Sequence, residues 1–331
     1  MPTPDRLIAL RPLRHECHLC GTCCQGWNVN LVSPEEIALA KQQAAELGIE
    51  SAVDEEKKIL GHDDKGRCVF LSHESRCRIH ERWGMDAKPL VCRQYPRRAT
   101  HTEDGMRIGV DPTCTSSDRS WRDGPELEPF RGNVGVLRNQ IEIEGDLKQS
   151  ENALLALLMN PDMTFPRFIS IITRASTVDD ELPIAFVGRA IACLRVADLS
   201  PLFEAHELGP DLLYRVAAMA ELLRGLDPVD PPPWMGLGPA RDAFALEVMR
   251  RHLFLRLGDP TLPPIAQALL VSLGILVAAW SDPIGDYFGS SLAAWMRMIR
   301  MSVVWSRIMP ETETARWLLS GDDAPVVPEH A

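Results

Sequence analysis

The stretch Cys17-His-Leu-Cys-Gly-Thr-Cys-Cys-Gln-Gly-Trp27 crowds Cys17, Cys20, Cys23 and Cys24 together, in a chain with nine cysteines among 331 residues. Thiolates are soft, strongly donating ligands that suit zinc or an iron–sulfur cluster, and such a site usually takes four protein ligands. A CxxC loop presents two thiolates from one tight turn to a common centre, and Gly21 eases that turn. Cys68, Cys77, Cys92 and Cys114 follow downstream, so the candidate ligands suffice for one site or two. Adjacent side chains in extended backbone point in different directions. Cys23 and Cys24 therefore serve different irons, serve different sites, or leave one thiol free.

Other cysteine chemistries fit less well. No signal peptide is visible in MPTPDRLIALRPLRHEC, whose one apolar run is broken at once by Arg11, Pro12 and Arg14. A cytoplasmic location is the expectation. Disulfides are rare in that reducing compartment, so clustered cysteines read first as metal ligands. The radical S-adenosylmethionine spacing CxxxCxxC is absent, because Trp27 stands where its third cysteine would fall, and neither GxGxxG nor a Walker loop occurs. His15, His18, His73 and His80 lie near the cysteines and read as surface or hydrogen-bonding residues. His62 with Asp64, and His101 with Glu103, have a spacing found in non-haem iron triads. Both pairs lie in polar, loop-like sequence where such spacing arises by chance. Cys193, alone in an apolar helical pattern, reads as a packed core thiol.

Residues 1–125 hold 18 Lys+Arg and 19 Asp+Glu, against 17 and 27 in residues 126–331, so the net charge of −11 sits almost wholly in the second half. That balance offers no electrostatic footprint for nucleic acid. One basic stretch stands out: in KPLVCRQYPRR, Lys88, Arg93, Arg97 and Arg98 surround Cys92 and Tyr95 with no acidic residue among them. It reads either as a solvated basic face or as positive charge set beside an anionic thiolate site. The long apolar run from Pro263 to Trp280 opens with two prolines, carries Gln267 and Ser272, and has Asp259 and Asp282 as flanks. It reads as a buried core helix and not a membrane span.

The elements that would position the thiols are short. WNVNLV alternates like a half-buried strand, and SPEEIALAKQQAAELG opens with Ser33 as N-cap, Pro34 at N1 and Glu36 at N3, and is closed by Gly48. GRCVFL is a second strand candidate, CRIHERWG a helical turn, and MRIGVDPTC a strand leading to a loop at Cys114. From about Pro125 amphipathic patterns follow one another: Phe130 to Leu147, Glu151 to Met159, Leu182 to Leu199, Leu212 to Leu223, Ala240 to Leu257, Ile265 to Trp280 and Ile284 to Met309. Only LDPVDPPPWMGLGP is rich enough in Pro and Gly to break that run, and the tail GDDAPVVPEHA reads as disordered. The expected fold is mostly α. A small Cys-rich metal-binding domain with short strands spans 1–125, and an all-helical bundle domain spans 126–331.

CHLCGTCCQGWNV, followed by GRCVFLSHESRCRIHERWGMDAKPLVCRQYP, resembles a bacterial cysteine-cluster family described as zinc- or iron-chelating. Its pattern is CxxCGxCC, then C-x-F-L, then C-x-I-(H/Y), then (K/R)-P-x-x-C-R-x-(Y/F)-P. Within that group the chain is similar to flagellin lysine N-methylases, through the CC-x-GW-x-V and C-x-x-Y-P-R elements, a later cysteine like Cys114, and a helical second half in which Arg241 to Pro260 resembles the central helix. The methylases space their first cysteines more widely. The resemblance implies an iron–sulfur cluster of the 4Fe–4S kind, S-adenosylmethionine as methyl donor, and transfer to lysine side chains of a protein. Tyr95 or Asp111, placed near the cysteines, are candidates to accept the amine's proton, and an acidic helical half would attract a lysine-bearing surface. The alternative is a non-catalytic zinc or iron–sulfur module stapling a loop-rich domain beside a partner-binding helical one.

Overall fold

The computed structural model describes residues 6–11, 13–127, 138–175, 181–196, 210–232, 234–258, 260, 262–282 and 287–300. The chain divides into two compact units, one of Met1–Gln140 with Leu202–Arg215 and one of Ile141–Pro201 with Val216–Ala331.

In the first unit a four-stranded sheet has the order β1 (Leu7–Ala9), β5 (Gly105–Val110), β4 (Arg97–Thr102), β6 (Arg138–Gln140). β4 and β5 form an antiparallel hairpin in which Ala99 faces Ile108 and Thr102 faces Gly105, closed by Glu103 and Asp104. β1 and β6 join the two hairpin strands in parallel. Leu13, Ala99, Ile108 and Val110 make a small core against one face. A second core lies under the cysteine loops. There α1 (Pro34–Leu47) packs Ala40 and Ala44 against Val29, Leu31, Leu60, Cys68, Phe70 and Ile79, beside a two-strand ribbon of β2 (Val53–Asp54) and β3 (Ile59–Leu60). Among its described residues are three further short helices, α2 (Arg78–Trp83), α3 (Leu90–Gln94) and α4 (Ser117–Asp123). Cores of this size are the kind that small domains supplement with cross-links or metals.

The N-terminus of α1 forms as its sequence predicts. Ser33 Oγ accepts from the Glu36 amide, Glu36 Oε2 accepts from the Val32 amide, and Gly48 closes the helix in the left-handed region. Two strand expectations fail. WNVNLV keeps the alternation, with Val29 and Leu31 buried and Asn28 and Asn30 exposed, yet only Asn30 forms a ladder bridge, to Ile59. The neighbouring ribbon strands are two residues long, too short to pair with a longer strand. GRCVFL makes only isolated bridges, Arg67 to Gln25, Cys68 to His62 and Leu71 to Cys77, around a turn at Val69 and Phe70, so no continuous strand forms there.

The second unit is helical: α5 (Gly145–Leu158), α6 (Phe165–Ile172), α7 (Ile184–Val196), α9 (Pro239–Phe254), α10 (Pro264–Ser281) and α11 (Phe288–Ile299), with α8 (Pro210–Arg224) crossing the boundary between units. α10 is the expected core helix and packs against α5, α9 and α11. It is the one described helix long and apolar enough to cross a membrane, and most of it is buried inside its own unit. Gly274 makes room for the α11 indole: a Cβ there would come within 2.1 Å of Trp295, whose Nε1 donates to the Leu270 carbonyl at 2.8 Å. Cys193 is fully buried in α7, as expected. The pattern from Phe130 to Leu147 fails in part, since Arg138–Gln140 is strand β6 and α5 begins only at Gly145. α6 was missed. Its signal was present in Thr164 as N-cap and Pro166 in the first turn, but eight residues give a weak period. Residues 226–232 and 234–238 form the expected non-helical break. The tail, and most of the Ile284 to Met309 pattern outside α11, lie outside the described residues.

Candidate metal centre

Backbone hydrogen bonds knit the cysteine loops together. Gly21 adopts the left-handed region, which lets the next three residues close a 3-10 turn, Thr22–Cys24, with the Cys24 amide donating to the Gly21 carbonyl at 2.9 Å. The Cys68 amide then donates to the Cys24 carbonyl at 2.8 Å, and the Gly26 amide to the Gly66 carbonyl at 2.9 Å, so the first cluster and the Cys68 loop share a short ladder. Leu71 bridges to Cys77, and the Arg78 amide donates to the Phe70 carbonyl, which carries Cys77 to the same place as the N-cap of α2. Cys92 arrives on α3. The Leu90 amide at the start of that helix donates to Glu36 Oε1 at 2.7 Å, so the carboxylate that caps α1 also fixes α3. Trp27 and Tyr95, far apart in the chain, pack edge to face with centroids 5.1 Å apart and hold the GW and YP elements together.

Cys24, Cys77 and Cys92 pack against the core that contains Cys68. The Cys23 and Cys24 sulfurs lie 3.9 Å apart. Cys20 is exposed, with its sulfur 3.3 Å from Thr115 Oγ1 and 3.8 Å from Ser116 Oγ, which ties the first cluster to the loop that carries Cys114. The helix after that loop, α4, also holds the start of the first cluster, because Ser120 Oγ accepts from the Glu16 amide and donates to the Glu16 carbonyl. The loops thus gather Cys17, Cys20, Cys23, Cys24, Cys68, Cys77 and Cys92 into one electrostatic neighbourhood. All are free thiols. No three or more of the described His, Cys, Asp and Glu residues stand ready at metal-ligand distances.

The electrostatics vary with position. Burial pushes the Cys68 thiol up to about 12 and raises Cys92 too. The contact with Cys23, together with burial, raises Cys24 well above the ordinary thiol value, and burial raises Cys17. Cys20 is shifted the other way: burial pushes it up, but hydrogen bonds from Thr115 and Thr22 outweigh that and lower it. Thiols of this kind stay protonated until something with positive charge takes the proton's place. A metal cation does so, and its binding releases protons. The donor set therefore fits a thiophilic metal.

Lys88, among the basic residues of KPLVCRQYPRR, is buried, whereas Arg93, Arg97 and Arg98 are half-buried. The solvated-face reading fails for it. Sequence reasoning missed Thr115 and Thr22, whose hydroxyls bond the Cys20 sulfur, and Thr113, whose hydroxyl bonds Asp111; for Thr113 and Thr115 the signal was the hydroxyl-rich run flanking Cys114. Asp111 is 1% exposed, and its Oδ1 accepts from the Thr113 amide at 3.0 Å and the Thr113 hydroxyl at 2.7 Å. Tyr95 Oη lies 3.3 Å from the same Thr113 hydroxyl. A hydroxyl has one hydrogen, and that of Thr113 goes to Asp111, so Tyr95 donates to Thr113. His62 Nε2 lies 3.0 Å from the Trp27 carbonyl, a structural bond that accounts for one of the two candidate iron-triad histidines.

Residues 16–115 match the model of the family described as "CxxCxxCC: Putative zinc- or iron-chelating domain". An uncharacterized protein of Methanocaldococcus jannaschii, MJ0939, is 34% identical over 106 residues, which are 31% of this chain and 37% of that relative. The chain thus spans little more than a third of the curated relative it matches, and no solved structure matches. The cysteine-rich segment from residue 16 to residue 115 is similar to a zinc- or iron-chelating domain, and metal binding is the function that this similarity supports.

Proposed function

We propose that residues 16–115 hold a thiolate-ligated metal centre whose native occupant is an iron–sulfur cluster, and that the protein uses it in methyl transfer to lysine side chains of another protein. The observation that carries the metal reading is the packing of four thiols from separate loops, Cys24, Cys68, Cys77 and Cys92, on one core, with Cys23 beside Cys24 and Cys20 held at the edge by Thr115. Cys23, Cys24, Cys68, Cys77 and Cys92 form its inner part, with Cys17, Cys20 and the loop of Cys114 at the edge. Seven thiols exceed the four of a closed structural zinc site, which supports a cluster or a second metal. One distance favours zinc as a second reading: 3.9 Å between the Cys23 and Cys24 sulfurs is close to the edge, about 3.8 Å, of a tetrahedron with metal–sulfur bonds of about 2.3 Å.

The catalytic part rests on the resemblance to lysine N-methylases and is supported by the Tyr95–Thr113–Asp111 chain. The lysine amine must lose a proton before its lone pair can form a bond to the methyl carbon, while the sulfonium sulfur keeps the electrons of the bond that breaks. Tyr95 Oη accepts that proton as its own passes to Thr113, whose hydroxyl hydrogen moves to Asp111. When bound, the metal centre would supply an anchoring site for the donor. The strongly acidic second half suits a lysine-bearing protein partner.

Anaerobic purification of the full chain, followed by iron, sulfide and zinc analysis and an absorption spectrum, tests the metal reading. Iron with matching sulfide and a broad visible band is the expected result. Zinc without sulfide rejects the cluster, and neither metal rejects the centre. Methyl transfer from labelled S-adenosylmethionine to lysine-rich protein, lost in Tyr95→Phe with metal content unchanged, is the expected outcome for catalysis; no label transferred rejects it.

A further inference from the structure

Lys88 lies between a 3-10 turn, Met85–Ala87, and α3, and is 8% exposed. Its backbone is pinned on both sides: the Ala87 carbonyl accepts from Gln43 Nε2 at 3.0 Å and the Leu90 amide bonds Glu36, both on α1. Pro89 keeps Lys88 extended, with ψ at 154°, so it cannot join the helix and its side chain leaves from a fixed point. Ala87, its chain neighbour, packs against the core that contains Cys68, as do Cys24, Cys77 and Cys92.

A buried ammonium ordinarily has a carboxylate partner, because an unpaired buried charge is costly. Among the described residues no carboxylate lies within ion-pair distance of Lys88; the groups that act on its charge are Cys77, Cys92, Cys23 and Cys24. It acts in turn on Cys17, Cys68 and His80. Four thiolates around a divalent metal leave an excess of negative charge, and such excess is least tolerable where water is scarce.

We propose that Lys88 is the built-in counter-cation of the cysteine centre, a positioning residue that is not a ligand and that raises the centre's affinity for thiophilic metal by offsetting thiolate charge. The inference rests on the metal-centre reading. It explains why one basic residue of KPLVCRQYPRR is buried while the others stay half-buried.

The test uses zinc alone as probe, titrated into reduced, metal-free full-length protein against a colorimetric chelator at fixed pH. Wild type, Lys88→Met, Lys88→Gln and Lys88→Arg are compared, with far-UV circular dichroism of each metal-free protein as the check of folding. Loss of a charge that supports the ligands from outside the coordination shell weakens affinity by about 10–100-fold. The expected result is a loss of that size in Met and Gln, affinity within a few-fold of wild type in Arg, and a wild-type-to-Met ratio that persists at high salt, since a buried interaction is little screened. If one neutral variant does not fold, the other is read. Equal affinity in wild type and a folded neutral variant overturns the proposal, as does an Arg variant as weak as Met, which would place the effect in packing. Wild-type protein that binds no zinc overturns the metal-centre reading itself, a result distinct from tight binding that is indifferent to residue 88.

Discussion

Gly21→Ala isolates the turn on which the cysteine constellation depends. Gly21 has φ near +70°, and a Cβ there would stand 2.4 Å from the Ser75 carbonyl oxygen, 3.0 Å from Ser75 Cβ and 3.1 Å from Leu71 Cδ1. The left-handed backbone costs an alanine about 1–2 kcal/mol. Forcing a methyl group against backbone that cannot yield adds about 1–3 kcal/mol. Gly48 supplies the control, because it has φ near +65° at the end of α1 but nothing within 4 Å of its Cβ position. Gly48→Ala should therefore show the conformational cost alone. The excess in Gly21→Ala separates the Thr22–Cys24 turn from the loop before Cys77, so it should appear as lost metal affinity of roughly 5–150-fold at about 1.4 kcal/mol per tenfold. Zinc competition and thermal unfolding of both variants, with and without metal, provide the comparison. Two variants with the same affinity and the same midpoint would refute the claim that the close approach of these loops builds the site.

Three further predictions concern charge and reactivity. Burial holds the Cys68 thiol protonated up to about 12 in the folded chain, whereas an unfolded cysteine ionises near 8.5, so the unfolded state sheds its proton first and metal-free stability is full below pH ~8.5 and falls as pH rises toward 12. The loss is about 1.4 kcal/mol per pH step and about 5 kcal/mol at most from this thiol; the melting midpoint of metal-free protein should drop from pH 8 to 10.5, and a flat profile contradicts it. In metal-free protein at pH 7.5, iodoacetamide should label Cys20 first and Cys68 and Cys92 last, as read by peptide mass spectrometry; early labelling of Cys68 would show that the core around it is open. In the helical unit, Glu151 is buried and accepts from Arg256 Nε and Nη2 at 2.7 and 2.9 Å. Glu151→Ala strands the guanidinium at a cost of about 3–5 kcal/mol, and the unfolding midpoint should fall by about 10 °C; a fall under about 2 °C would mean that solvent reaches the pair.

Local signals were legible and long-range ones were not. Ser33, Pro34, Glu36 and Gly48 specify α1 through bonds within a few residues, and they form as read, although Glu36 also reaches α3, which no local pattern encodes. Alternation in WNVNLV correctly marks Val29 and Leu31 as buried, but a strand needs a partner of matching length, and that depends on β2 and β3. β6 hides in a helical period because three residues added in parallel to a sheet leave no pattern of their own. The cysteine types and spacing announced a metal site, while the pairing of Trp27 with Tyr95 and the burial of Lys88 emerge only when the loops are brought together. The ambiguity of the basic stretch was real, since sequence gives charge but not depth.

X-ray absorption at the metal edge of the full chain, purified without oxygen, bears most directly on whether the gathered thiols are the ligands. A first shell of four sulfurs at about 2.3 Å is expected for iron or zinc. A shell dominated by nitrogen or oxygen at about 2.0–2.2 Å would place the metal elsewhere and leave the thiols without the role assigned to them.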